Sequence, residues 1–202
     1  MILLGPLLFL LYTADLVRLV ESFELYPHLY ADDTQIYGSC RPGATDSLRD
    51  RVADCVAAVA DWMRSNRLQL NASKTEVLWC ASARRQSQLP SDPLAVGSDL
   101  VSPVRCVRDL GIFIDADLTM RTQVTQTCAK CFAALRQLRS IRRSVSDDVL
   151  QSLVVALVFS RLDYGSATLA GLPKQLMDRL QSVQNAAARF DLKLYQIWHY
   201  DP

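Results

Sequence analysis

Apolar residues recur along this chain with two different periods, and the change from one to the other divides it into segments. Ile2 to Ala14 is an uncharged, Leu-rich run in which Pro6 suits a first helical turn. The pattern predicts a helix from Leu7 to about Val20 with Asp15 and Arg18 as its only charges. So apolar a surface implies burial on several sides. Tyr26 to Tyr37 then sets aromatic and β-branched residues on both sides of Ala31-Asp32-Asp33-Thr34, the pattern of a β-hairpin with an acidic tip, and Arg41-Pro42-Gly43 breaks the chain. Thr45 can cap a helix with Asp46 in its first turn, and Leu48, Val52, Cys55, Val59 and Trp62 or Met63 mark the stripe it lays on a sheet. Lys74 to Cys80, Pro93 to Gly97, Val101 to Val107 and Leu110 to Ile114 are short strand candidates, joined by connections that predict antiparallel pairing.

From Thr119 the period is helical. Val124, Cys128, Cys131, Leu135 and Leu138 form one stripe, with Arg136, Arg139 and Arg143 on an adjoining face. A second helix starts at Ser146 with Asp147 and Asp148 in its first turn, crosses the apolar run 153–159 and ends at Asp163-Tyr164-Gly165. A third follows Gly171-Leu172-Pro173 and runs to about Arg189, with Leu176, Leu180, Val183 and Ala187 on one side. The class is α+β, with mixed strands and helices first and helices alone afterwards.

Composition narrows the picture less than the pattern does. With 202 residues, half of them apolar, the chain can bury a core as one domain or two small ones. A net charge of +1 neither predicts nor excludes a nucleic-acid partner, so distribution must decide. Leu118 to Ser146 holds six cations (Arg121, Lys130, Arg136, Arg139, Arg142, Arg143) and no acid. The six cysteines lack framework spacing, which fits reduced thiols inside a cell; Cys128 and Cys131 form a C-x-x-C on an apolar stripe, read as core packing against the alternative of metal or redox use. Ile2 to Ala14 imitates a secretory signal, but no cationic segment precedes it, Gly5-Pro6 interrupts it, and it is too short to span a bilayer. It is read as a buried helix whose upstream context is missing, in a chain that is neither secreted nor in a membrane.

Tyr30-Ala31-Asp32-Asp33 carries the most chemistry. Two adjacent carboxylates on a tight turn repel each other unless a cation or solvent compensates, and hard oxygen donors suit Mg²⁺. Strand neighbours point to opposite faces, so Asp32 and Asp33 cannot be equivalent ligands. A solvated acidic turn is the alternative. His28 and His199 are read as packing or surface residues.

The order of segments resembles the LINE-type (non-LTR retrotransposon, jockey-like) reverse transcriptases. Gly5-Pro6-Leu7-Leu8-Phe9-Leu10-Leu11-Tyr12 is similar to the helix after that family's template-contacting loop, and Tyr30-Ala31-Asp32-Asp33-Thr34-Gln35-Ile36-Tyr37 to its catalytic hairpin. Leu70-Asn71-Ala72-Ser73-Lys74-Thr75-Glu76 resembles its next motif, and Val107-Arg108-Asp109-Leu110-Gly111-Ile112 with Asp115 its primer-grip strands. Ser160-Arg161-Leu162-Asp163-Tyr164-Gly165, Gly171-Leu172-Pro173 and the stretch from Leu180 to Arg189 resemble its thumb and connection. The likeness covers nearly all of residues 4–189. Met1-Ile2-Leu3 stand where the family has Gln-Gly-Ser, the fingers and the strand bearing the first catalytic Asp would lie upstream, and Phe190 to Pro202 no longer reads like the family.

The resemblance implies a partial polymerase palm over 1–117 (an antiparallel sheet with flanking helices), an all-helical thumb and connection over 118–189, and a divergent tail over 190–202. It implies an RNA-directed DNA polymerase that joins dNTPs to a DNA primer on an RNA template with two Mg²⁺ ions, in the nucleus. Asp32 would bridge both metals and Asp33 support one. Ala31 would leave room beside the primer terminus and Tyr30 pack under the turn, unless both simply pack in the strand. Lys74 would protonate the pyrophosphate or steady the triphosphate, or be a solvated loop lysine. Leu110 and Gly111 would press on the primer backbone, and Lys130, Arg136, Arg139 and Arg143 would contact phosphates or form a solvated face. Lacking the third carboxylate, the chain is expected to be inactive unless another segment supplies it; the alternatives are a non-catalytic nucleic-acid-binding remnant and a simple α/β interaction domain.

Overall fold

The computed structural model describes residues 4–190; Met1-Ile2-Leu3 and 191–202, with most of the expected tail and His199, lie outside the described residues. The chain divides into two compact units. The first holds residues up to Trp79 and Arg84–Val104, and the second Cys80–Ala83 and the chain from Arg105 onward. Helix and strand are mixed, as the two periods require.

In the first unit, the single helix expected near the start is two, α1 (Leu4–Tyr12) and α2 (Ala14–Glu21). They part at Thr13, whose hydroxyl and N–H both donate to the Phe9 carbonyl. Leu16 and Val20 of α2 are buried, whereas Leu7, Leu8, Leu10 and Leu11 of α1 are exposed. The expectation of a helix buried on several sides therefore fails for α1. It packs on α2 and reaches the end of the next long helix through the Tyr12 hydroxyl, which donates to the Asn66 carbonyl at 2.6 Å, and this leaves its outer leucines uncovered.

Strands β1 (Tyr26–Tyr30) and β2 (Asp33–Tyr37) form the expected antiparallel hairpin. Helix α3 (Thr45–Ser65) follows a short 3-10 turn, Pro42–Ala44. Thr45 is its first residue rather than its cap, because its hydroxyl turns back to donate to the Pro42 carbonyl at 2.9 Å. Leu48, Cys55 and Val59 of α3 close a core with Leu16, Val20 and Leu25, and Leu29 and Ile36 bring the inner face of the hairpin onto it. Burial of this kind stabilises by roughly 25 cal/mol per Å² and fixes which hairpin face looks outward.

Of the short strands, β4 (Leu94–Val96) and β5 (Asp99–Val101) pair antiparallel, but β3 (Val77–Leu78) and β6 (Pro103–Val104) pair parallel. A parallel pair needs a long connection, and the β4–β5 hairpin lies within it.

The second unit opens on β7 (Cys106–Asp109) and β8 (Ile112–Asp115), an antiparallel pair, followed by α4 (Arg121–Ile141). Helix α5 (Asp147–Val154) has Ser146 as its cap, accepting the Val149 N–H. It continues through one π-helical turn, Val155–Phe159, into α6 (Ser160–Asp163), and α7 (Lys174–Phe190) completes the unit. The expected stripe Val124, Cys128, Cys131, Leu135 and Leu138 is buried against Leu150, Val154, Val158, Leu176, Val183 and Ala187. Cys128 and Cys131 sit in this core with sulfurs toward the carbonyls of Arg179 and Val158, and burial pushes the Cys131 thiol up to about 11. No helix among the described residues is long and apolar enough to cross a membrane.

Candidate functional site

The register of the first hairpin pairs Tyr30 with Asp33, so Ala31 and Asp32 form a two-residue loop. Ala31 takes a left-handed φ of +53°, the sign that the tight turns of hairpins require at their first position, and a small side chain keeps its cost low. Directly opposed residues share a face, and Leu29 points to the core. Tyr30 and Asp33 therefore stand on the outward face with Tyr26, His28 and Tyr37, while Asp32 occupies the loop. The rings of Tyr26 and Tyr37 stack there at 5.5 Å. Asp32 and Asp33 are both exposed, the first in the loop and the second on β2. Among the described residues no group of three or more His, Cys, Asp or Glu comes together. The turn thus offers donors of the right kind for a hard cation but only part of a ligand set.

Lys74 ends a 3-10 turn, Ala72–Lys74, organised by Asn71. The Asn71 carbonyl accepts the N–H groups of Lys74 and Thr75 and the Thr75 hydroxyl, and its side-chain oxygen accepts the Ser73 hydroxyl at 2.7 Å. The turn holds Lys74 exposed at its end, in the same unit as the aspartates.

In the second unit, Leu110 and Gly111 form the loop between β7 and β8, with φ of +44° and +90°. They border an open groove of about 490 Å³ into which Arg108, Lys130 and Arg161 converge and whose lining holds no carboxylate. The Arg108 guanidinium and the Lys130 ammonium lie 5.7 and 5.9 Å from the centre of the Phe113 ring, a cation–π arrangement that steadies both charges. Buried Gln123 fixes the groove floor by accepting the Phe113 N–H at 3.0 Å, and Asp115 accepts the Thr122 N–H at 3.0 Å. Arg161 reaches the Lys130 carbonyl at 3.4 Å.

Of the residues singled out from the sequence, Tyr30, Ala31, Asp32 and Asp33 share one turn, and Gly111 and Lys130 share the groove, with Leu110 beside it. Arg136 and Arg139 are exposed on α4. Arg143 lies past Ile141, in the turn after the helix, so the three arginines do not share one helical face. The sequence pattern did not bring Arg108, Phe113 and Arg161 together, though the structure places all three in the groove lining. They are 53 positions apart at the extremes and carry no common period; the pairing of β7 with β8 and the packing of β8 and α6 on α4 bring them together.

Residues 2–114 match the family model of the reverse transcriptases (RNA-dependent DNA polymerases). The chain is also 26% identical, over 196 residues, to a Drosophila melanogaster protein named as a probable RNA-directed DNA polymerase from transposon BS. That alignment covers 92% of this chain but 21% of the relative, so the chain spans about a fifth of the relative's length. No solved structure matches. The family match takes in more than half of the chain and includes both the Asp32-Asp33 hairpin and the Leu110-Gly111 turn: the chain belongs to the reverse transcriptase family.

Proposed function

We propose that this chain is the palm and thumb portion of an RNA-directed DNA polymerase from a LINE-type transposable element, working on an RNA template, a DNA primer and dNTPs in the nucleus. The observation that carries the reading is the acidic hairpin turn, with one carboxylate in the loop and one on the strand. Asp32 and Asp33 would hold Mg²⁺ together with ligands from another segment of the polymerase, and the metal would supply Lewis-acid activation of the primer hydroxyl and charge stabilisation at the leaving pyrophosphate.

The chain's other residues bind and orient. Ala31 leaves room at the turn for a primer terminus, and Tyr30 supports it from the facing strand. Lys74 places a cation for the triphosphate. Leu110 and Gly111 bring backbone, with one small residue, up to a nucleic-acid strand. Arg108, Lys130 and Arg161 neutralise its phosphates without reading bases, and Arg136, Arg139 and Arg143 extend the basic surface.

Primer extension tests the reading. The chain alone should extend nothing in Mg²⁺, and extension should appear when an upstream polymerase segment bearing a third carboxylate is fused to it and vanish with Asp32→Asn. Extension that survives Asp32→Asn in the fusion overturns the role given to the acidic turn, and extension by the chain alone overturns its need for a further carboxylate. A second reading, nucleic-acid binding without catalysis, is favoured by the acid-free groove. It predicts that the fusion binds template–primer but never extends it.

A further inference from the structure

Tyr164 closes α6, and Gly165 after it takes a left-handed φ of +73°, turning the chain back onto the β7–β8 hairpin. The approach at Gly165 is close: a Cβ there would meet the Ile112 Cδ1 at 2.6 Å. The Tyr164 hydroxyl donates to the Leu110 carbonyl, and its ring lies where a Cβ on Gly111 would come within 3.3 Å of Cε1. One side chain therefore holds both residues of a turn whose first residue, Leu110, adopts a backbone conformation that L side chains avoid. Tyr164 also lines the groove into which Arg108, Lys130 and Arg161 converge.

We propose that Tyr164 is a positioning residue: its hydroxyl and ring lock the Leu110–Gly111 turn in the conformation that forms the rim of the groove for a phosphodiester backbone. The inference rests on the binding role given to that groove under the proposed function. Tyr164 is itself more than half exposed, so its hydrogen bond is not needed to satisfy a buried group. What the bond does is select one conformation of the turn, and losing it loosens the rim while the helical core, which Tyr164 does not enter, stays intact.

The full chain and its Tyr164→Phe variant are compared by hydrogen exchange over residues 108–113 and by affinity for an RNA–DNA hybrid at several salt concentrations. Phe keeps the ring and loses the donor. Exchange over the turn should rise and the Kd should increase, each by about fivefold, the effect of one ordinary hydrogen bond. The thermal midpoint and the slope of log K against log salt should stay unchanged, because the phosphate contacts keep their number. A hybrid bound equally by both proteins, or a turn equally protected in both, overturns the role of Tyr164 and leaves the binding reading standing. A weakening that merely follows a global loss of protection overturns it too, making the residue structural. Failure of the unsubstituted chain to bind the hybrid at low salt overturns the binding reading itself, and this role with it.

Discussion

Ala31 sits where the first residue of a tight hairpin turn must have positive φ, and it is the smallest side chain that still resists that conformation. Ala31→Gly should raise stability by about 0.5–1 kcal/mol and Ala31→Val lower it by about 1–2 kcal/mol, read from urea midpoints; the opposite order would show that the loop does not hold this backbone. Cys131 gives a pH signature. Its thiol keeps its proton to about 11 in the fold, against an ordinary value of 9.0, so the folded state binds more protons between those values. The stabilisation is therefore complete below about pH 9 and is lost as pH rises through about 11. Urea midpoints should fall over that window in the natural chain and fall less in Cys131→Ala; a flat profile for the natural chain would place the thiol in contact with water. At this scale the acidic hairpin turn was legible from the aromatic and β-branched residues around it, whereas strand alternation did not foresee that Asp32 lies in the loop and Asp33 alone on the strand. The grouping of Arg108 with Arg161 was not legible, since isolated cations on different elements leave no pattern in one dimension.

Helix α4 starts after Met120, which has a left-handed φ of +55° and no side-chain cap, and its first-turn N–H at Thr122 is taken up by Asp115 from β8. Gln123, one residue on, accepts from Phe113 of the same strand and donates to Thr127 at 3.3 Å. These two side chains tie the hairpin to the helix. Gln123→Leu should cost about 1–3 kcal/mol, the loss expected when a partly buried N–H is left without its acceptor, and should speed exchange at Phe113. A neutral substitution would mean that the apolar contact alone holds β8 to α4. Helix positions were legible because their stripes run over several turns. The break at Thr13 was not, since it rests on the backbone of one residue, at φ −95° and ψ 4°, nor was the parallel pairing of β3 with β6, which depends on the hairpin between them. The exposure of α1 escaped the sequence for a different reason: an apolar surface says that a helix is suited to burial, and its neighbours decide whether it is buried.

For the molecule as a whole, a net charge of +1 coexists with a groove lined by Arg108, Lys130 and Arg161 and by no carboxylate. If the three groove cations carry binding, the slope of log K against log salt should be near about −3, and replacing Arg108, Lys130 and Arg161 by Gln should abolish most of it. The corresponding triple replacement of Arg136, Arg139 and Arg143 should weaken binding less, and if those residues also touch phosphates the full slope should approach about −5. Equal affinity and slope after the groove replacement would move the binding surface elsewhere. The path of the chain between its two units sets a limit on dissection. It leaves the first unit after Trp79, returns at Arg84 and leaves again after Val104. In the excursion, the Ala81 N–H donates to the Ala116 carbonyl at 3.0 Å. A protease nick between Val104 and Arg105 thus yields pieces that are not the units: the N-terminal piece keeps a strap of the helical unit's own structure, and the C-terminal piece must do without it.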